Sequence, residues 1–412
     1  MIENELSYSL PSLWGDTDRP HTAREWEYGR KAELLELFSS LVYGRTPPGG
    51  GVSGVEMLSR EEGVLDGLAT RSQLKLTLSG PLGSKTANLL LYVPSSATAA
   101  APAPVLVGLN FTGNHATSAD PSILVTSGWA NDEGWHDTTA ERAFQERRWP
   151  FRIPLEKGYA VATMHCTELE ADFPGLAADG VRGLFHTEEE LAAPAPDMWG
   201  TIGAWAWGLS RILDVLMTIP EVDGTAAVVH GHSRLGKTAL WAAAQDPRFA
   251  AAISNNSGCV GASLFRHASG ETIPMITDRF PHWFARNFNA YRENLDALPI
   301  DQHHLLAFLA PRPVHVASAS LDAHADPRGE YLATLYASPA MALYGHHGTL
   351  PPALATDGND LSWQEAAQLP TPQPGARVGG RLSYHMREGI HDVLAEDWVR
   401  FVEFADANIM MR

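Results

Sequence analysis

The chain has 412 residues, 44% of them hydrophobic and 19% charged, which is enough for a large core and ordinary for a globular enzyme. A formal net charge of −18 argues against a nucleic-acid or anionic-membrane partner. No apolar run approaches the roughly 18 residues a bilayer-crossing helix needs.

The N-terminus, Met1-Ile2-Glu3-Asn4-Glu5-Leu6, has neither a basic start nor an apolar stretch, so no signal peptide is read there. An intracellular protein and an exported one that has lost its signal both stay open. Residues 22–43 then read as a helix, with Trp26, Leu34, Leu35, Leu37, Phe38 and Leu41 on its apolar side. Two β-like runs, 73–78 and 87–93, predict an antiparallel hairpin turned at 80–83. The Ala/Pro/Ser-rich stretch 95–104 is a surface loop. Apolar runs follow at 105–109, 159–164, 226–229, 251–253 and 314–317, separated by helix-like segments, notably 201–219 and 235–244. Continuously apolar strands indicate a parallel sheet covered on both faces. An antiparallel start followed by strand–helix alternation is the order of an α/β-hydrolase, a three-layer sandwich with a mostly parallel central sheet. Residues 1–70 are expected as an N-terminal extension packed on a catalytic domain spanning 71–412. Stretches 262–300 and 335–380 read as insertions above the sheet edge where ligands bind.

The most informative segment is Gly231-His232-Ser233-Arg234-Leu235-Gly236-Lys237, between the strand at 226–229 and the helix at 235–244. A glycine-flanked serine at a strand-to-helix turn is the layout of a nucleophile elbow. The second glycine stands one place later than in the common lipase spacing. Two cations, Arg234 and Lys237, lie within one turn of the serine, and Arg234 is placed to meet an oxyanion. A serine hydroxyl needs a base, and the chain order of this fold is serine, acid, histidine. The acid candidate after the strand at 314–317 is Asp322, with Asp326 as its rival. The base candidate is His391, two residues after Gly389. His385, inside the apparent strand 381–386, reads as packed. Gly108–His115 is either a second wall of the oxyanion hole or a plain β-to-loop turn. Cys166 and Cys259 read as buried free thiols. Among Trp149, Trp199, Trp205, Trp207 and Trp283, core packing is the default, and Trp283 is the candidate for sugar stacking.

The segment 231–237 resembles the Gly-Cys-Ser-Arg-x-Gly-Lys signature of the glucuronoyl esterases, carbohydrate esterase family 15. Further stretches look like bacterial members: 108–115, Trp199-Gly200-Thr201-Ile202-Gly203-Ala204-Trp205-Ala206-Trp207-Gly208, Phe280-Pro281-His282-Trp283-Phe284, Ala310-Pro311-Arg312-Pro313 and Asp326-Pro327-Arg328-Gly329-Glu330. The resemblance covers roughly residues 25–405. It implies a metal- and cofactor-free serine esterase that cleaves esters between 4-O-methyl-glucuronic acid on xylan and lignin alcohols. It implies a secreted or periplasmic setting, and a small-molecule or oligosaccharide glucuronate ester as the binding partner. By the same resemblance Ser233 is the nucleophile, His391 the base and Arg234 the oxyanion arginine, while Lys237 and Glu271 bind the sugar. Three positions depart from the pattern. His232 replaces the signature cysteine, so the disulfide of some relatives cannot form there. Asn256 stands where many members carry the acid, which therefore falls to Asp322. His324 replaces a tryptophan that packs on the glucuronate. An acetyl-xylan, feruloyl or other carbohydrate carboxylesterase is the alternative reading.

Overall fold

The computed structural model describes residues 9–15, 20–129, 135–137, 140–351, 354 and 361–410. Ten strands form the main sheet: β1 (Gly51–Gly63), β2 (Ala69–Gly80), β3 (Gly83–Pro94), β4 (Ala103–Asn110), β5 (Ala160–His165), β6 (Val222–His232), β7 (Ala251–Asn255), β8 (Val314–Ala319), β9 (Arg377–Gly379) and β10 (Leu382–Arg387). Their spatial order is β1-β2-β3-β5-β4-β6-β7-β8-β10-β9. From β5 through β10 the neighbours run parallel, whereas β1, β2, β3 and the short edge strand β9 pair antiparallel.

The central strands are apolar along their whole length because each face supplies a separate core. Val105, Val107, Ala160, Ala162, Ala227 and Val229 enter one cluster, and Leu106, Val161, Val228 and Ile253 enter the other. The first core is closed by α1 (Ala23–Tyr28), α2 (Arg30–Leu41), α3 (Thr201–Leu216), α4 (Arg234–Gln245), α5 (Gln302–Phe308) and α6 (Pro327–Ala342). The second is closed by α7 (Ala395–Ala405), with Trp149, Phe151 and Leu155. Each fully buried aliphatic side chain contributes about 1.5–3 kcal/mol, so the two cores drive assembly of the sandwich. Helices on both faces of a mostly parallel sheet make this an α/β-hydrolase fold.

Some expectations change in detail. The helix expected over 22–43 is two helices, Ala23–Tyr28 and α2, because Gly29 leaves helical geometry at φ −110°, ψ −103°. Residues 51–63, expected within an N-terminal extension, pair with β2 as the sheet's edge strand β1. That strand is mostly solvent-facing, with Val55 and Met57 each 50% exposed, so its sequence lacks a clear apolar rhythm. The hairpin forms as expected, with Gly80 opposite Gly83. Of the stretch 335–380, residues up to 342 complete α6 and Arg377–Gly379 joins the sheet, while 352–353 and 355–360 lie outside the described residues. Met1–Leu6 also lie outside them. Cys166 and Cys259 are buried and free. Among the described residues, no helix is long and apolar enough to cross a membrane.

Candidate active site

Strand β6 ends at His232 and α4 starts at Arg234, so Ser233 must turn the chain between them within a single residue. It does so at φ 58°, ψ −129°, a backbone conformation disfavoured for any residue with a Cβ. The turn is tight enough to demand Gly231, where a Cβ would lie 1.9 Å from the Leu235 carbonyl oxygen. Ser233 makes no side-chain capping bond to α4, so its hydroxyl is not spent on the helix. It lines a cavity of about 200 Å³ together with Arg234, Lys237, Glu271, Trp283, His324 and His391.

The loop after β8 carries Asp322, and the loop after β10 carries His391. His391 Nδ1 donates to Asp322 Oδ2 at 2.6 Å. The imidazole is 38% exposed and the carboxylate 2%, which leaves Nε2 on the cavity side for the serine. Ser233 and His391 border the same cavity without a direct hydrogen bond between them, and bonds of this kind commonly tighten only around bound substrate. Asn256, held at φ 47°, donates its side-chain amide to Asp322 Oδ2 at 2.7 Å. It therefore orients the acid rather than replacing it. Burial opposes ionisation of Asp322, but the bonds from His391 and Asn256 outweigh it and hold the carboxyl below its ordinary range. Asp326 is engaged elsewhere. It accepts from His267 Nδ1 at 2.7 Å and Ser263 Oγ at 2.8 Å, and caps α6 through Gly329 N.

Beside His391 stands His232, with ring centroids 4.6 Å apart. Its Nδ1 donates to Asn255 Oδ1 at 2.6 Å. Burial, with His391 and Arg148 nearby, pushes its pKa well down, so this imidazole is neutral. Arg234 is the first residue of α4, where backbone N–H groups have no intrahelical partner. Its guanidinium pairs with Asp172 through Nη1 and rests against Phe280 and Trp283, 5.1 and 4.8 Å from their ring centroids. Asp172 was not evident from the sequence. Its position shortly after β5, at the ligand-binding edge of the sheet, was the available signal.

Lys237 is buried and donates to the carbonyl oxygens of Ser257 and Cys259 at 2.5 and 2.6 Å. An ammonium has three donors, and Glu271 Oε2 lies 3.9 Å away. Burial lowers the Lys237 pKa, while Glu271 works against that shift. His324, half-exposed, meets Glu271 Oε1 at 3.2 Å. Trp283 is 2% exposed, stacked on Phe280 at 3.8 Å, and its indole N–H is committed to Asp172. Gly108–His115 forms the β-to-loop turn, closed by Asn110 Oδ1 accepting from Gly113 N at 2.9 Å, and none of it lines the cavity.

A serine at an elbow, an aspartate-bound imidazole and a flanking guanidinium in one cavity can carry out acyl transfer. Comparison with known proteins agrees with this chemistry. A family model described as glucuronyl esterase, fungi, matches residues 152–344. A carbohydrate esterase from an unknown prokaryotic organism is 38% identical over 97% of this chain and 89% of its own length. The solved glucuronoyl esterase of Solibacter usitatus superposes with a TM-score of 0.85 at 36% identity, covering 98% of both chains. A promiscuous esterase of family 15 from a marine bacterial metagenome gives 0.82 at 36% identity over 99% of both. This chain belongs to carbohydrate esterase family 15, the glucuronoyl esterases.

Proposed function

We propose that this chain is a serine esterase that hydrolyses esters of glucuronic acid, of the kind joining 4-O-methyl-glucuronic acid on xylan to lignin alcohols. The observation that carries the reading is the 2.6 Å His391–Asp322 bond opening onto the cavity that Ser233 and Arg234 share. His391 Nε2 takes the Ser233 proton as the hydroxyl attacks the glucuronoyl carbonyl. The Arg234 guanidinium and backbone N–H receive the oxyanion, where one such donor is worth about 3–4 kcal/mol. Protonation by His391 releases the alcohol. Water, activated by the same imidazole, then cleaves the acyl-enzyme to free uronate and serine. Lys237 and Glu271 orient the sugar hydroxyls, and His324 and Trp283 complete the sugar end of the cavity. Each step uses only these side chains and water.

A second reading, a carboxylesterase of wider scope, is favoured by His324, whose side chain is 54% exposed and offers an imidazole where the resemblance places a tryptophan. Turnover of benzyl glucuronoate, methyl galacturonate and p-nitrophenyl acetate separates the two. The glucuronate ester should lead by at least about tenfold in kcat/KM, a gap of roughly 1.4 kcal/mol. Equal rates on all three would favour the broader enzyme. Loss of every rate in Ser233→Ala, with the fold retained, checks the nucleophile.

A further inference from the structure

We propose, on the reading of Arg234 given above, that Asp172 is a positioning residue that fixes the Arg234 guanidinium in the orientation the oxyanion requires. Both carboxylate oxygens are occupied. Oδ2 accepts from Arg234 Nη1, while Oδ1 accepts from Trp283 Nε1 at 2.6 Å and His282 Nε2 at 3.0 Å. Two donors from one segment therefore hold the carboxylate, and the carboxylate holds the arginine. Phe280 and Trp283, stacked on each other, limit the guanidinium on another side. Arg234 Nε is buried and has no hydrogen-bond partner among the described residues, so the guanidinium is tethered at one end only.

An arginine side chain is long and flexible, and an oxyanion donor acts only if it is aimed before the charge develops. Asp172 also offsets part of the arginine's charge, which on its own would weaken the donor. Orientation outweighs that offset, because a free guanidinium on a flexible stem would turn toward water.

The test is a double-mutant cycle between Asp172 and Arg234. Asp172→Asn keeps the shape and an oxygen for Trp283 and His282, but it can turn an amide donor toward the arginine. In the otherwise unchanged enzyme kcat should fall about ten- to a hundredfold, with KM within about threefold. In an Arg234→Ala background the same change should cost no more than about twofold. Losses that simply multiply would overturn the proposal, as would an unchanged kcat in the single variant. If the Asn variant folds poorly, Asp172→Ser enters the same cycle. A parent that ignores benzyl glucuronoate but cleaves p-nitrophenyl acetate would refute the substrate and leave this inference testable, because both esters pass through the same oxyanion.

Discussion

Two of the histidine–aspartate pairs, His391–Asp322 and His385–Asp397, take their histidines from either end of the same short segment, and the contrast between them shows what makes such a pair reactive. Both are short, 2.6 and 3.1 Å. In the first, Nδ1 meets the carboxylate and the ring borders a cavity with Nε2 left over. In the second, both nitrogens are used: Nε2 on Asp397, Nδ1 on His315 Nε2 at 2.7 Å. Asp397 also accepts from Arg387 Nε and from Leu394 N, which ties β10 to the start of α7. Side chains in that pair are 1% and 0% exposed. The spare nitrogen beside a nucleophile, rather than the contact itself, distinguishes a base from a fastener.

The most forceful way to break this contrast is at the cavity. His391→Ala and Ser233→Ala should each lower kcat by roughly 10⁵- to 10⁶-fold, and thermal unfolding of the Ser233 variant should barely move. Asp322→Asn should cost about 10⁴-fold, because the imidazole loses the partner that fixes its tautomer. Asp326→Asn should leave kcat within about threefold and lower stability by about 1–2 kcal/mol through the bonds Oδ2 accepts from His267 and Ser263, read by urea unfolding. Reversed rankings would move the acid to Asp326. For the buried pair the signs are opposite: His385→Ala should destabilise by about 2–4 kcal/mol, by opening a cavity and leaving His315 Nε2 and Asp397 Oδ1 without that partner, with kcat of the folded protein little changed.

A third carboxyl group sharpens the contrast through pH. Glu330, fully buried, accepts from Ser257 N and Gly258 N at 2.8 and 3.0 Å and from Ser318 Oγ at 2.5 Å. Burial pushes its pKa up to about 8. Between the unfolded carboxyl value and pH 8 the folded chain therefore holds a proton that the unfolded chain has released, and stability falls as pH rises. Glu330→Gln should remove that slope, so its melting temperature relative to the parent should improve from pH 5 to pH 8. For Asp322, whose pKa is depressed, the sign reverses: its stabilisation is present above the unfolded carboxyl range and fades as pH falls through its folded value.

Much of this was legible in the residues. The parallel strands announce themselves because both faces are buried, and the elbow because Gly231 and Ser233 obey a steric rule. Strand β1 was hidden because an exposed edge strand such as Gly51–Gly63 needs no apolar pattern when its partner supplies the pairing. Asp322 and Asp326 follow the same strand four residues apart. The bond that its side chain accepts from Gly329 N shows that the latter caps a helix. Asp172 lies 62 positions before Arg234, and no local spacing can reveal a contact made by loop closure.

The backbone at Ser233 has a consequence for how this chain can evolve. An L-residue held at a positive φ of 58° stores strain of about 1–3 kcal/mol, which glycine would largely relieve. The residue that would make the molecule most durable at this position and the one proposed as nucleophile are therefore different. Drift under selection for durability alone would favour glycine here, so on the proposed mechanism the serine persists only while its chemistry is being used.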